Sequence, residues 1–246
     1  MTDLARDRRD EGSGTGATGA DQVGDAADRA SADGLSPDAG AGATGADPAE
    51  SADTALAGSE GLDPPVREIV GALEQVTRDV RHLVAPLCDA QLNWRPSDER
   101  WSIAECVAHL VASGNVYVGP IARAIERGMA RQVYGGADFT PTRIGRWFIA
   151  EMEPPPRRRL PTLRRLVPRG LWHRDQLLAD FEAMQRSLIH RAIAANGLDL
   201  GRIRMRSPLV PVVRLPLGTW FAFLAAHERR HLWQARQVRE EEGFPR

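Results

Sequence analysis

Near its C-terminal end the chain carries the stretch "AHERRHLWQ", with His227 and His231 four residues apart and Glu228 directly after the first. Written as a pattern this is H-E-x-x-H, the spacing in which two helical histidines hold zinc and a glutamate acts as base in metallopeptidases. On a helix, residues i and i+4 are about 40° apart and about 6 Å along the axis, so both imidazoles stack on one face. Trp220, Leu224, Gln234 and Val238 fall on the same face, which marks it as an inward one. Imidazoles placed there need hydrogen-bond partners, as in a pair of satisfied core histidines, or a metal. Neutral imidazole is a good ligand for zinc, nickel and iron.

A metal site needs a third ligand. The peptidase reading expects it downstream, but only fifteen residues follow His231, and Glu240, Glu241 and Glu242 continue the same helical pattern. The peptidase reading is therefore disfavoured. Upstream, His109 is the leading candidate. It lies on the flank of its helix, about 120° from the centre of the apolar stripe, where a flank residue faces the adjacent helix. His173 and His190 are rivals, and His82 lies off its apolar stripe and receives no role. Gln234, one turn beyond His231, is placed to orient a ligand from behind the histidines. Glu228 and Glu105 are the nearest carboxylates for a general base. Glu228 lies about 100° from His227 and also reads as a surface partner of neighbouring arginines. Glu105 reads as a helix cap.

Long amphipathic helices must position these residues. Asp63-Pro64 begins the first, with Val66, Ile69, Val70, Leu73, Val76, Val80, Leu83, Val84 and Leu87 recurring at helical spacing. "LNWRPSDERW" is a connector. Ser102–Glu105 forms a capping box that opens a second helix, stopped near Gly128. Residues 129–170 are irregular, with a short helix over "RIGRWFIAEME" and a Pro- and Arg-rich run containing Arg157, Arg158, Arg159, Arg164 and Arg165. A third long helix runs from about Trp172 to Ala195, with Ile193 among its inward residues. "GLDLGRIRMRSPLVPVVRLPLG" is an extended connector without convincing strand alternation, and the last helix covers about Thr219–Glu241. The expected fold is all-α, a four-helix bundle with a long crossover connection between the second and third long helices.

The chain falls into two parts by composition. Residues 1–60 are mostly Ala, Gly, Asp, Ser and Thr and carry a net charge of −9. Such a segment cannot bury enough apolar surface to offset its ordering entropy, so a disordered acidic tail is expected, and its start has no signal-peptide core. Residues 61–246 carry a net charge of +8 and are long enough for one domain with a substantial core. Every basic residue is Arg. Cys88 and Cys106 are too few for a disulfide framework and are expected to be reduced, buried and inert. No apolar run approaches the roughly 18–20 residues that span a membrane. These features read as a cytoplasmic protein with no membrane association.

"LNWRPSDERWSIAECVAHL" resembles the P-x-x-x-x-W-S-x-x-E-x-x-x-H-L signature of the DinB-like (DinB/YfiT) superfamily, and "LAAHERRHLWQARQVREEEGFP" resembles its closing H-x-x-x-H-x-x-Q helix. The resemblance covers roughly residues 66–246, with both motifs in the family's order. It implies a four-helix bundle holding a divalent metal through one histidine of the second helix and two of the fourth, here His109, His227 and His231. The position of Glu228 is not part of that pattern.

Three neutral ligands leave the dication's charge undiminished and a fourth position open. Two chemistries follow, deprotonation of a bound thiol and activation of a bound water. The resemblance favours a metal-dependent thiol transferase acting on a small-molecule substrate. Zinc or nickel is the expected metal, and a low-molecular-weight thiol the expected co-substrate. The alternatives are a metal-dependent hydrolase and a non-catalytic helical-bundle binding module. The Arg-rich run reads as a solvated loop or as a receiver of anionic groups. The chain lacks the aromatic platform or recognition motif of a nucleic-acid binder. A homodimer is compatible with a bundle that has leftover apolar surface.

Overall fold

The computed structural model describes residues 61–135, 138–158 and 161–246. The expected acidic tail, residues 1–60, and Arg159 lie outside the described residues. The chain forms α1 (Pro64–Val84), α2 (Asp89–Asn93), α3 (Ile103–Ala130), α4 (Arg143–Met152), α5 (Arg174–Ala194), β1 (Arg204–Arg206), β2 (Arg214–Pro216) and α6 (Leu217–Arg239), with a 3-10 turn at Arg164–Leu166. Among the described residues no helix is long and apolar enough to cross a membrane.

The four long helices make the expected bundle. α1 and α3 each pack against both α5 and α6, so they occupy opposite corners. The core runs along their shared axis through Leu73, Val80, Leu110, Ile121, Phe181, Leu188 and Leu224, all 2 % exposed or less. Full burial of one such side chain stabilises the fold by about 1.5–3 kcal/mol. Gly114 lets α3 approach α5, because a Cβ there would lie 2.3 Å from Met184 Sδ. The long crossover from α3 to α5 contains α4, which packs on the outer side of α6. Gly145 permits that packing, since a Cβ there would come within 3.0 Å of Thr219 Cγ2.

Some local expectations are corrected. The connector after Leu87 contains a helical turn, α2, begun by reciprocal Cys88–Gln91 capping. The first long helix accordingly stops at Val84, although Leu87 is buried. The extended connector before α6 is a short antiparallel hairpin pairing Arg204 with Pro216, Met205 with Leu215 and Arg206 with Arg214. Three-residue strands offer too little alternation to be recognised in sequence. The hairpin anchors the start of α6: Leu217 N donates to Ile203 O at 2.8 Å and Trp220 Nε1 to Met205 O at 3.0 Å. Ile193, expected inward, is 39 % exposed, and Cys88, expected buried, is exposed. Cys106 is buried, and burial pushes its thiol up to about 12, which keeps it protonated and inert.

Candidate metal centre

The start of α3 sets the first ligand. Ser102 Oγ accepts from Glu105 N at 3.1 Å, and Glu105 Oε2 accepts from Ser102 N at 2.7 Å, the expected capping box. Arg95 also pairs with Glu105 at 3.4 Å. His109 follows two turns into the bundle and is only 4 % exposed. Its flank position is buried because the crossover returns over it. The Nδ1–H of His109 donates to Leu166 O in the 3-10 turn at 2.9 Å. This bond fixes the ring and leaves Nε2 free to offer its lone pair.

Nε2 of His109 lies 3.3 Å from Nε2 of His227. One ring nitrogen from each of His109, His227 and His231 lies within 4.8 Å of the others. The ring centroids of His231 are 4.5 Å from His109 and 4.6 Å from His227. Two nitrogens each about 2.1 Å from a tetrahedral zinc stand about 3.4 Å apart, close to the His109–His227 separation.

The donor chemistry also fits a divalent ion. Desolvation lowers the pKa of all three imidazoles: His227 to about 3, His231 well below its ordinary value, and His109 also below it, with its bond to Leu166 opposing the shift. All three are therefore neutral near pH 7, the form that ligates metals. His231 has the Gln234 side chain as a hydrogen-bond neighbour, which can hold one ring nitrogen while the other is offered to an ion. His173 and His190 are exposed and take no part, His173 being paired with Asp89 at 2.8 Å.

Aromatic rings fix two of the imidazoles. Trp101 stacks on His231 at 5.7 Å and 21°, and Phe223 on His227 at 6.2 Å and 6°. Sequence reading gave neither ring a role. The Trp101 signal lay in the segment before Ser102, and Phe223 stands one helical turn before His227. Gln234 lies beside His231, as expected, within hydrogen-bonding reach of its ring.

Glu228 is placed otherwise than expected. It is 2 % exposed rather than a surface partner of arginines. Its Oε2 accepts from Gln185 Nε2 at 3.0 Å, and the same amide donates to Leu73 O at 3.3 Å. The carboxyl thus belongs to the seam between α1, α5 and α6 and makes no hydrogen bond to the three histidines. Burial raises its pKa to about 8.

The three histidines sit in the wall of a cavity of about 1010 Å³. The crossover supplies its opposite side, including Met152, Arg157, Arg158, Leu163 and Leu166. Two consecutive arginines of α6 hold that segment. Arg230 Nη1 donates to Glu151 O at 2.8 Å and Nη2 to Arg158 O at 2.7 Å. Arg229 Nε donates to Glu153 Oε2 at 3.1 Å. Sequence reading missed Arg230, because its partners are main-chain carbonyls that leave no sequence signature.

A family model described as the DinB superfamily matches residues 72–235, about two thirds of the chain. The match includes all three histidines and Gln234. Neither the comparison with curated proteins nor that with solved structures finds a match.

Proposed function

Starting from the fact that the chain belongs to the DinB superfamily, we propose that His109, His227 and His231 hold one divalent metal ion, zinc or nickel, and that the protein is a metal-dependent thiol transferase acting on a small molecule. The observation that carries this reading is the convergence of three neutral imidazoles, from two helices, on the wall of a cavity. A divalent ion held there would supply Lewis acidity that lowers the pKa of a coordinating thiol.

The chain's own groups would do the rest. Leu166 O keeps His109 in the tautomer that presents Nε2. Trp101 and Phe223 hold the other two rings and keep water from their faces. Gln234, beside His231 and in the cavity wall, would orient that ring from behind.

Thiol transfer is preferred to hydrolysis because hydrolysis wants a general base within hydrogen-bond reach of the attacking water. The two carboxylates that the sequence offered are engaged elsewhere, Glu105 in the α3 cap and Glu228 with Gln185, and Glu99, which lines the cavity, makes no hydrogen bond to the three histidines among the described residues.

The test is metal content of the purified protein beside His109→Ala, followed by assay of the metal-loaded protein with low-molecular-weight thiols and small electrophiles. Expected are one metal per chain, loss of it in the variant, and thiol consumption that depends on the metal. A wild-type protein without metal would return the bundle to a non-catalytic binding module. Metal-dependent ester or amide cleavage without thiol consumption would replace the transferase by a hydrolase.

A further inference from the structure

The charges lining the cavity do not balance. Four arginines, Arg100, Arg157, Arg158 and Arg230, face it with a single carboxylate, Glu99. Two of the four are neutralised. Arg100 is paired with Glu241, and Arg158 with Glu151 at 2.8 Å. Arg230 spends its terminal nitrogens on the main-chain carbonyls of Glu151 and Arg158 and has no carboxylate at ion-pair distance among the described residues. Arg157 is exposed and has neither an ion-pair nor a hydrogen-bond partner among the described residues. The neutral imidazoles add no negative charge, and a bound dication would add positive charge. The remaining wall is largely apolar and aromatic, with Trp101, Tyr117, Leu166, Phe223 and Trp233.

We infer that the cavity takes a metabolite-sized molecule bearing a carboxylate on an apolar or aromatic body, and that Arg157 receives the carboxylate. The inference rests on reading this cavity as the substrate site. A volume of about 1010 Å³ is of the size that takes a small molecule. A guanidinium presents paired N–H donors that match the two oxygens of a carboxylate, and such charge-assisted bonds gain strength beside low-dielectric walls. Arg157 stands next to the residue whose carbonyl Arg230 holds, so α6 ties the anion receiver to the helix that carries His227 and His231. Arg157 acts here as a specificity residue and Arg230 as a positioning residue.

The probes are benzoate, phenylacetate and 3-phenylpropionate, each beside its neutral amide, with binding followed by fluorescence of Trp101 and Trp233. The titrations are run with and without added zinc, on the wild type, Arg157→Glu and His109→Ala. At least one acid is expected to bind the wild type about tenfold more tightly than its amide, equivalent to about 1.4 kcal/mol. Arg157→Glu should abolish that preference while leaving the amide's affinity and the zinc content unchanged. Equal binding of acid and amide, no saturable binding of any acid, or a preference that survives Arg157→Glu overturns the proposal. A preference that survives Arg157→Glu but vanishes in His109→Ala would assign the carboxylate to the metal, leaving the metal reading intact. A preference lost in Arg157→Glu in a protein that binds no zinc would keep the anion site and sink the metal reading.

Discussion

Helix α6 buries ionisable groups on two faces, and the two faces are opposite in character. On one, Glu228 meets Gln185 in the seam with α1 and α5, away from the cavity wall. On the other, His227 and His231 meet His109 in the wall of the cavity. Burial alone does not distinguish them, since both faces shift pKa strongly. Convergence and access do. A buried polar group whose hydrogen bond closes within the bundle is part of the packing. Buried polar groups that converge and open onto space are a binding site.

The contrast breaks most sharply on metal content. His109→Ala or His227→Ala should lose the ion, because two imidazoles cannot replace a three-nitrogen set, while Glu228→Gln should keep it. Plasma emission measurement of metal per chain checks both. Loss of metal in Glu228→Gln would show that the two faces are coupled.

Stability should respond in the reverse order. Glu228→Ala leaves the Gln185 amide buried with only its Leu73 bond and should cost about 1–3 kcal/mol. His109→Ala should change the stability of the metal-free protein less. Urea unfolding of the metal-free proteins compares them, and equal losses would erase the distinction.

Gln234→Ala sharpens the comparison within the histidine face. It should retain the ion with affinity weakened about tenfold, the lower end of what removing a supporting group costs a metal site. Competition with a chromogenic chelator measures this. Unchanged affinity would leave Gln234 to the substrate alone.

The two faces also differ in a pair of opposed pH slopes. Glu228 ionises near 4.5 when unfolded but near 8 when folded. As pH rises from about 4.5 to 8 the unfolded chain releases a proton that the folded chain keeps, so this group makes stability fall with pH. The imidazoles work the other way. Their folded pKa values lie below the unfolded 6.5, so the unfolded chain gains protons as pH drops below about 6.5 and the folded chain does not. Metal-free stability should therefore fall on the acid side through the histidines, and from pH 6.5 to 8 through Glu228. Glu228→Gln should flatten the upper slope and leave the lower one. A flat wild-type profile above pH 6.5 would mean that Glu228 is ionised in the folded protein.

Much of this molecule is written in local sequence. The apolar spacing of Val66–Val84, the Ser102–Glu105 box and the i,i+4 pair His227 and His231 each act within one or two helical turns, so they fix helices and faces without reference to the rest of the chain. Helix-wheel arithmetic put His109 on a flank that faces a neighbouring helix and so made it a candidate, and the resemblance of two motifs joined it to that pair. The helix wheel also failed for Glu228. Its arc looked like a surface, but α6 packs against α1, α3 and α4 and is covered on several sides.

What the tertiary structure alone decided is which helix packs where and what the crossover covers. The return of Leu166 over His109 buries that ring and sets its tautomer. The grip of Arg230 on the carbonyls of Glu151 and Arg158 holds one wall of the cavity, where Arg157 has no partner among the described residues. These contacts join residues more than fifty positions apart through main-chain atoms that every residue shares. A sequence determines the periodicity that makes helices. The packing of those helices determines which polar groups find partners, and so which remain free to bind something else.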